Sequence, residues 1–236
     1  MTHALLLAHL IGDYVLQGDR IARWKARSVL GVLAHGAIVT AITLLCLALV
    51  IPSRWPFALV IGVAHTAVDL IRARFLRARN PTWELIWYLF DQAAHLSIIG
   101  VVAVVLARSD AVAAPRALLW LNYRRWLAYA VGYLLLAQPA WVLLRLMVRG
   151  LWGGEAAPRL GEGDKYGPMC ERMLIATGVL LGQLYVLPLA LLPRRLLPVR
   201  VQGNDVGVLM RFTEHWAETL LGVLLATSVG LVLRRV

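Results

Sequence analysis

Long apolar runs separated by short polar breaks organise this chain. Each run is compared with the roughly 17–25 apolar residues that a membrane-crossing helix needs. The first covers about Thr2 to Gln17 and is short; Gly18-Asp19-Arg20 ends it. The next runs from about Ser28 to Ile51 and stops at Pro52, and a third from about Trp55 to Arg72. Others cover about Trp83 to Leu106, Arg125 to Met147, Met169 to Leu192 and Trp216 to Leu233. No segment alternates as a long strand does. The pattern predicts an all-α polytopic bundle of about seven transmembrane helices, or about six if the first is short or re-entrant. The Gly-rich, charged stretch between Gly150 and Pro168 reads as a loop. The expected organisation is a four-helix front module over residues 1–110, a linking helix and polar loop over 111–168, and C-terminal membrane helices over 169–236.

Composition fits this picture. Of 236 residues, 60% are hydrophobic and 16% charged, and the mean hydropathy is +0.71. Soluble domains average roughly 45–50% apolar and about 25% charged. So little polar surface cannot coat a water-soluble globule, which makes the bilayer the expected solvent and partner. The net charge of +11 would suggest nucleic acid in a soluble protein. Here most Arg sits in short stretches between apolar runs, as topology signals and anionic-lipid contacts do, so nucleic acid is not an expected partner. The first loop carries Arg20, Arg23, Lys25 and Arg27, and the third Arg72, Arg74, Arg77 and Arg79, whereas the second holds only Arg54. Loops one and three are therefore expected on the cytoplasmic side of a bacterial-type inner membrane, with the N-terminus outside. The two cysteines, Cys46 and Cys170, form no CxxC and support neither a disulfide framework nor a thiolate zinc site. The N-terminal segment lacks the features of a cleaved signal peptide and is read as a helix that stays.

The front helices place ionisable residues where lipid makes them costly. Helix one holds His9, Asp13 and Gln17, helix two His35, helix three His65 and Asp69, and helix four Asp91, Gln92 and His95. His9-Asp13, His65-Asp69 and Asp91-His95 are i,i+4 pairs, which share one helix face a turn apart. A randomly placed His would have an Asp four positions away roughly 6% of the time; three of the six here do. The order reverses in helix four, which runs the opposite way through the membrane. Every Asp therefore lies on the cytoplasmic side of its His, and the expectation is one polar layer in the cytoplasmic half of the bilayer.

Imidazole and carboxylate without thiolate favour zinc, manganese or iron. His9, His35, His65, His95, Asp13, Asp69 and Asp91 are the candidate ligands, enough for one ion with supporting carboxylates or for two ions. Such a metal would activate water or polarise a phosphoryl or carbonyl oxygen. Asp13 or Asp69 would serve as ligand or general base, and Asp91 would orient His35 or His95. Gln17 and Gln92 border the layer. Lys25, Arg27 and Arg72 are candidates to hold an anionic lipid or phosphate-bearing substrate. The same residues also suit a proton- or cation-coupled transporter, or hydrogen bonds that simply hold a bundle together.

The opening HLIGDYVLQGDRIARWKARS resembles an uncharacterised bacterial membrane family, domain of unknown function 3307. The resemblance rests on His9, Gly12, Asp13, Gln17, Lys25, His35, the His65-xxx-Asp69 helix and the Asp91-Gln92-xx-His95 helix. Toward the C-terminus, Glu171-Arg172, Gly182-Gln183, Arg211-Phe212 and Glu218 are similar to segments of its longer members. Gln183 is expected in mid-helix, and Glu218 is expected to pair with Arg211 or Arg172. The resemblance implies that the polar layer belongs to the family, and implies no activity.

Overall fold

The computed structural model describes residues 2–75, 80–108, 123–154, 165–196 and 205–236, and the side chains of these except 192–196 and 205–215. It is helical, with no strand among the described residues. The helices are α1 (Thr2–Leu10), α2 (Asp19–Arg27), α3 (Val29–Val50), α4 (Pro56–Phe75), α5 (Pro81–Arg108), α6 (Tyr123–Leu136), α7 (Gln138–Trp152), α8 (Tyr166–Leu180), α9 (Val186–Leu196) and α10 (Asp205–Arg234). A π-helical turn, Ile11–Val15, continues α1.

Five segments among the described residues are long and apolar enough to cross a membrane: Val29–Val50, Pro56–Phe75, Pro81–Arg108, Tyr123–Trp152 and Trp216–Arg234. Two of the expected seven runs are not among these five. The first gives only the short α1 and its π turn. The run from Met169 to Leu192 is divided between α8 and α9 by a turn in which Gly182 adopts φ +74°, a left-handed conformation that glycine tolerates best. Gln183 therefore lies exposed in this turn rather than in mid-helix; its backbone N–H donates to the Gly178 carbonyl at 2.7 Å.

The distribution of polarity is that of a protein dissolved in lipid. Val63 is 72% exposed and Leu30 66%, while His35 and Asp69 are at most 1% exposed. Trp24, Trp55, Trp83 and Trp152 are exposed at or near helix ends, as expected of interfacial anchors. The chain is thus a multi-pass membrane protein.

Two compact units are present, Met1–Ala78 with Ile86–Leu134, and Arg79–Leu85 with Leu135–Val236. In the first, the inner stripe of each helix repeats every four residues. Leu5, His9 and Asp13 follow one another along α1 and its turn, Ile61, His65 and Asp69 along α4, and Asp91, His95 and Ile99 along α5. Leu5, Leu47, Ala58, Ile61, Ile99 and Val102 join the apolar cluster at one end of these stripes. The polar residues continue the same stripes at the other end.

Antiparallel α3 and α4 touch through small residues. A Cβ on Gly36 would collide with Thr66 Oγ1, and one on Gly62 with Thr40 Oγ1. Each threonine hydroxyl donates to a glycine carbonyl of its own helix, Thr40 to Gly36 and Thr66 to Gly62, both at 2.7 Å. The hydroxyls thus have partners in lipid, and the helices approach closely, as small residues allow in membranes.

In the second unit, Leu136, Ile175, Ala176, Ala190 and Ala226 form an apolar cluster. At the α6–α7 junction the Leu136 and Ala137 carbonyls lie within reach of a side chain, the Ala137 carbonyl also accepting from the Trp141 N–H at 3.2 Å. Buried Arg172 donates to both, Nε to Leu136 at 2.9 Å and Nη2 to Ala137 at 3.3 Å. Glu218 faces Arg145 at 3.9 Å; the expected partner Arg211 has its side chain outside the described set.

Substituting Gly36 or Gly62 by Val should force α3 and α4 apart and lower stability by about 1–3 kcal/mol. Gly100→Val, where an added Cβ meets nothing within 4 Å, should change it far less. Thermal unfolding in detergent measures all three.

Candidate metal centre

Three local features bring the layer together. Gly12 lies against Val39, where an added Cβ would come within 2.9 Å of Cγ2. This contact lets the π turn press onto α3 and deliver Asp13 toward His35. Single π turns inside helices occur frequently at functional sites. Gly31 makes a similar close approach to the backbone of Trp24 and Lys25, so α2 lies tightly on α3 and Lys25 can reach inward. The Gly36–Thr66 and Gly62–Thr40 contacts set His35 beside His65.

His35 Nε2 and His65 Nε2 are 3.3 Å apart. Asp13 Oδ1 is 3.3 Å from the first and 3.4 Å from the second. Asp69 Oδ2 is 3.6 Å from the first and 3.4 Å from the second. Each Nε2 carries at most one hydrogen, so at most two ordinary hydrogen bonds are available for these five contacts. A tetrahedral zinc ion with bonds of about 2.0–2.2 Å has ligand atoms about 3.3–3.6 Å apart. Five of the six edges of such a figure are therefore present to within about 0.1 Å; the sixth, between the Asp13 and Asp69 oxygens, is not among these contacts. His35, His65 and Asp69 form one buried group that could hold a metal ion, and His9, Asp13 and His65 form another that shares His65.

The other two histidines flank this set. His9 Nδ1 is 3.7 Å from Asp13 Oδ2, and His95 Nδ1 is 3.8 Å from Asp91 Oδ2. The His65 and His95 rings stack with centroids 4.0 Å apart. A small cavity lined by His9, His65, His95 and apolar neighbours including Leu5, Val39 and Ile99 adjoins the rings.

Two cations enter the layer. Lys25 Nζ lies 2.7 Å from Asp69 Oδ2 and donates to Gln17 Oε1 at 3.3 Å. Arg72 Nη1 donates to Asp91 Oδ2 at 2.6 Å. Gln92 Nε2 donates to the same oxygen at 3.1 Å. Arg27 is exposed on α2, with no contact to the layer among the described residues.

Tyr14 and Tyr88 were not among the residues the pattern singled out. Their hydroxyls are 2.8 Å apart, and Tyr14 donates to Gln92 Oε1 at 3.0 Å. The signal was present: Tyr14 follows Asp13, and Tyr88 lies one turn before Asp91 and Gln92 on the inner face of α5.

Nine-tenths-buried imidazoles and carboxylates, enclosed by helices that expose apolar side chains, define a multi-pass membrane protein with an internal polar site. The chain belongs to the family described as Protein of unknown function (DUF3307), whose profile matches residues 1–119 and so includes every residue of this layer. No curated protein and no solved structure matches the chain.

Breaking a buried ion pair by removing one partner strands the other charge, at a cost of about 3–5 kcal/mol. Lys25→Met should therefore destabilise the metal-free protein by about 3 kcal/mol. Arg27→Met, on the exposed side of the same helix, should stay within about 0.5 kcal/mol of wild type. Parallel denaturation of both variants in detergent checks this.

Proposed function

We propose that this protein is a membrane metalloprotein in which His35, His65, Asp13 and Asp69 hold a divalent transition metal, zinc, manganese or iron. The observation that carries the reading is the set of five 3.3–3.6 Å separations among four donor atoms from three parts of the chain. Charge supports it. Three buried carboxylates, Asp13, Asp69 and Asp91, meet two cations, Lys25 and Arg72. One negative charge is left over at a depth where an unbalanced charge is costly.

The activity that suits this arrangement is hydrolysis of a phosphate- or acyl-containing substrate at the cytoplasmic leaflet. The metal would supply an activated water or polarise the substrate oxygen. Catalytic zinc keeps a coordination position open, so one of the four protein ligands must give way. Asp13 is the better candidate, because no cation holds it, whereas Lys25 fixes Asp69. Asp13 would then take the proton from the attacking water while Asp69 stays a ligand. An ionised carboxylate oxygen has two lone pairs, so Asp69 Oδ2 can face Lys25 and a metal together. Asp91 would orient His95. Lys25 and Arg72 would attract the anionic group, which favours a phosphate-bearing substrate over a neutral ester. Arg27 would act farther out, at the headgroups.

In this reading the side of the bundle carrying the basic α2 and the Arg residues around the end of α4 faces the cytoplasm of a bacterial inner membrane, with the N-terminus outside; the Lys and Arg excess there supports it. In that reading α1 and the α8–α9 pair also lie within the bilayer, giving about seven membrane segments.

One observation favours a second reading. A single protonated imidazole would balance the surplus charge as well as a metal would, and the Tyr14–Gln92–Asp91 hydrogen bonds lead from the layer to Arg72. These are the parts of a proton- or cation-coupled transporter.

Metal analysis of the detergent-purified chain separates the two. Wild type should carry at least one equivalent of transition metal, and His35→Ala and His65→Ala should lower the affinity at least tenfold. Metal-free wild-type protein that drives proton-coupled flux in proteoliposomes, with flux lost in Asp91→Asn, would replace the metalloprotein reading with transport.

A further inference from the structure

The four donor atoms of the proposed site leave a second group of donors beside it. Asp69 turns Oδ2 toward His35, His65 and Lys25, while Oδ1 faces His95 Nε2 at 4.0 Å. Asp91 gives Oδ2 to Arg72 and Gln92. Asp69 Oδ1, Asp91 Oδ1 and both ring nitrogens of His95 are buried and have no hydrogen-bond partner. Asp69, Asp91 and His95 are each at least nine-tenths buried. Buried polar atoms are almost always paired, so several unpaired ones facing each other point to a missing partner. Their negative charge makes that partner a cation.

The spacing fits an ion of a different kind from the first. One donor atom from each of Asp69, Asp91 and His95 lies within 4.8 Å of the others. In an octahedral site with bonds of about 2.1 Å, adjacent ligands are about 3.0 Å apart and opposite ligands about 4.2 Å apart. The trio is looser than the His35–His65–Asp69 group, and its side chains would close inward onto an ion of that size. Two carboxylates and one imidazole with room for further oxygen ligands suit manganese or magnesium. The stacked His65 and His95 rings, 4.0 Å apart, belong one to each donor group, so the two groups are adjacent.

We propose that Asp69, Asp91 and His95 form a second divalent-cation subsite, and that Asp69 bridges two ions, one through each carboxylate oxygen. This rests on the reading of His35, His65, Asp13 and Asp69 as the first site. Arg72 stays on Asp91 Oδ2 and leaves Oδ1 to the ion. With both ions present the layer carries surplus positive charge, which a phosphate group offsets and a neutral ester does not.

The test uses the full chain, stripped with chelator in detergent and titrated with Mn²⁺. Wild type should bind two ions. The six-line paramagnetic resonance signal of the first should collapse into an exchange-coupled spectrum as the second enters. Asp91→Asn and His95→Gln should each bind one ion and keep the six-line signal. A single ion in wild type overturns the bridged subsite and leaves the first site standing. No ion in wild type removes the first site as well. Two uncoupled ions, two ions retained in Asp91→Asn, or loss of both ions from both variants would each overturn the subsite.

Discussion

A carboxylate removed from water inside a bilayer must find positive or proton-donating groups, and Asp69 finds them on four helices. Lys25 from α2, His35 from α3, His65 from its own α4 and His95 from α5 all lie within 4.0 Å of its oxygens. Asp13, at the end of α1, joins through the same two imidazoles. One buried side chain thus ties the first unit together at its polar end, while Leu5, Leu47, Ile61 and Ile99 do so at the apolar end. The two ends rest on different physics. Lipid tails are as apolar as leucine, so the apolar end gains little from leaving lipid and depends on shape. The polar end is held because the alternative, separated charges facing hydrocarbon, is far more costly.

That arrangement explains the character of the site. Asp13 belongs to a π turn and, among the described residues, pairs with no Lys or Arg within 4.0 Å, whereas Asp69 is held by Lys25 and Asp91 by Arg72. The three acids are chemically identical and differ only in their neighbours. Two of the carboxylates are thus held by a Lys or Arg and one is not, and the proposed division of roles rests on that difference.

Much of this was legible in the chain itself. The four-residue spacing of His and Asp, and its reversal in the fourth run, anticipated that the acids and imidazoles would meet. Burial in lipid leaves such residues few other options. Pro52, Pro56 and Pro81 lie at or beside the helix ends that they help to set. Other features depended on distances that no periodicity encodes. The break at Gly182 looks like a continuous apolar run, because Leu-rich flanks conceal a single residue in left-handed backbone. Glu218 faces Arg145, a residue on a different helix that no spacing along the chain announces. Tyr14 and Tyr88 were missed because a tyrosine near a membrane helix end is ordinarily an interfacial anchor. Only the 2.8 Å contact shows these two turned inward.

The paired glycine and threonine contacts between α3 and α4 carry a consequence for how such a sequence can drift. Position 36 opposes 66 and position 40 opposes 62, so both contacts belong to one antiparallel register. Lipid-facing residues such as Val63 can exchange for other apolar residues with little effect. Inserting or deleting one residue inside 36–40 or 62–66 would instead rotate one half of that helix against the other by about 100°, so the two contacts could no longer form together, and holding the half without the imidazole in place would swing His35 or His65 off the inner face. Chain-length changes in this pair are therefore confined to the short connection around Pro52–Arg54, which leaves the spacing of the imidazoles untouched.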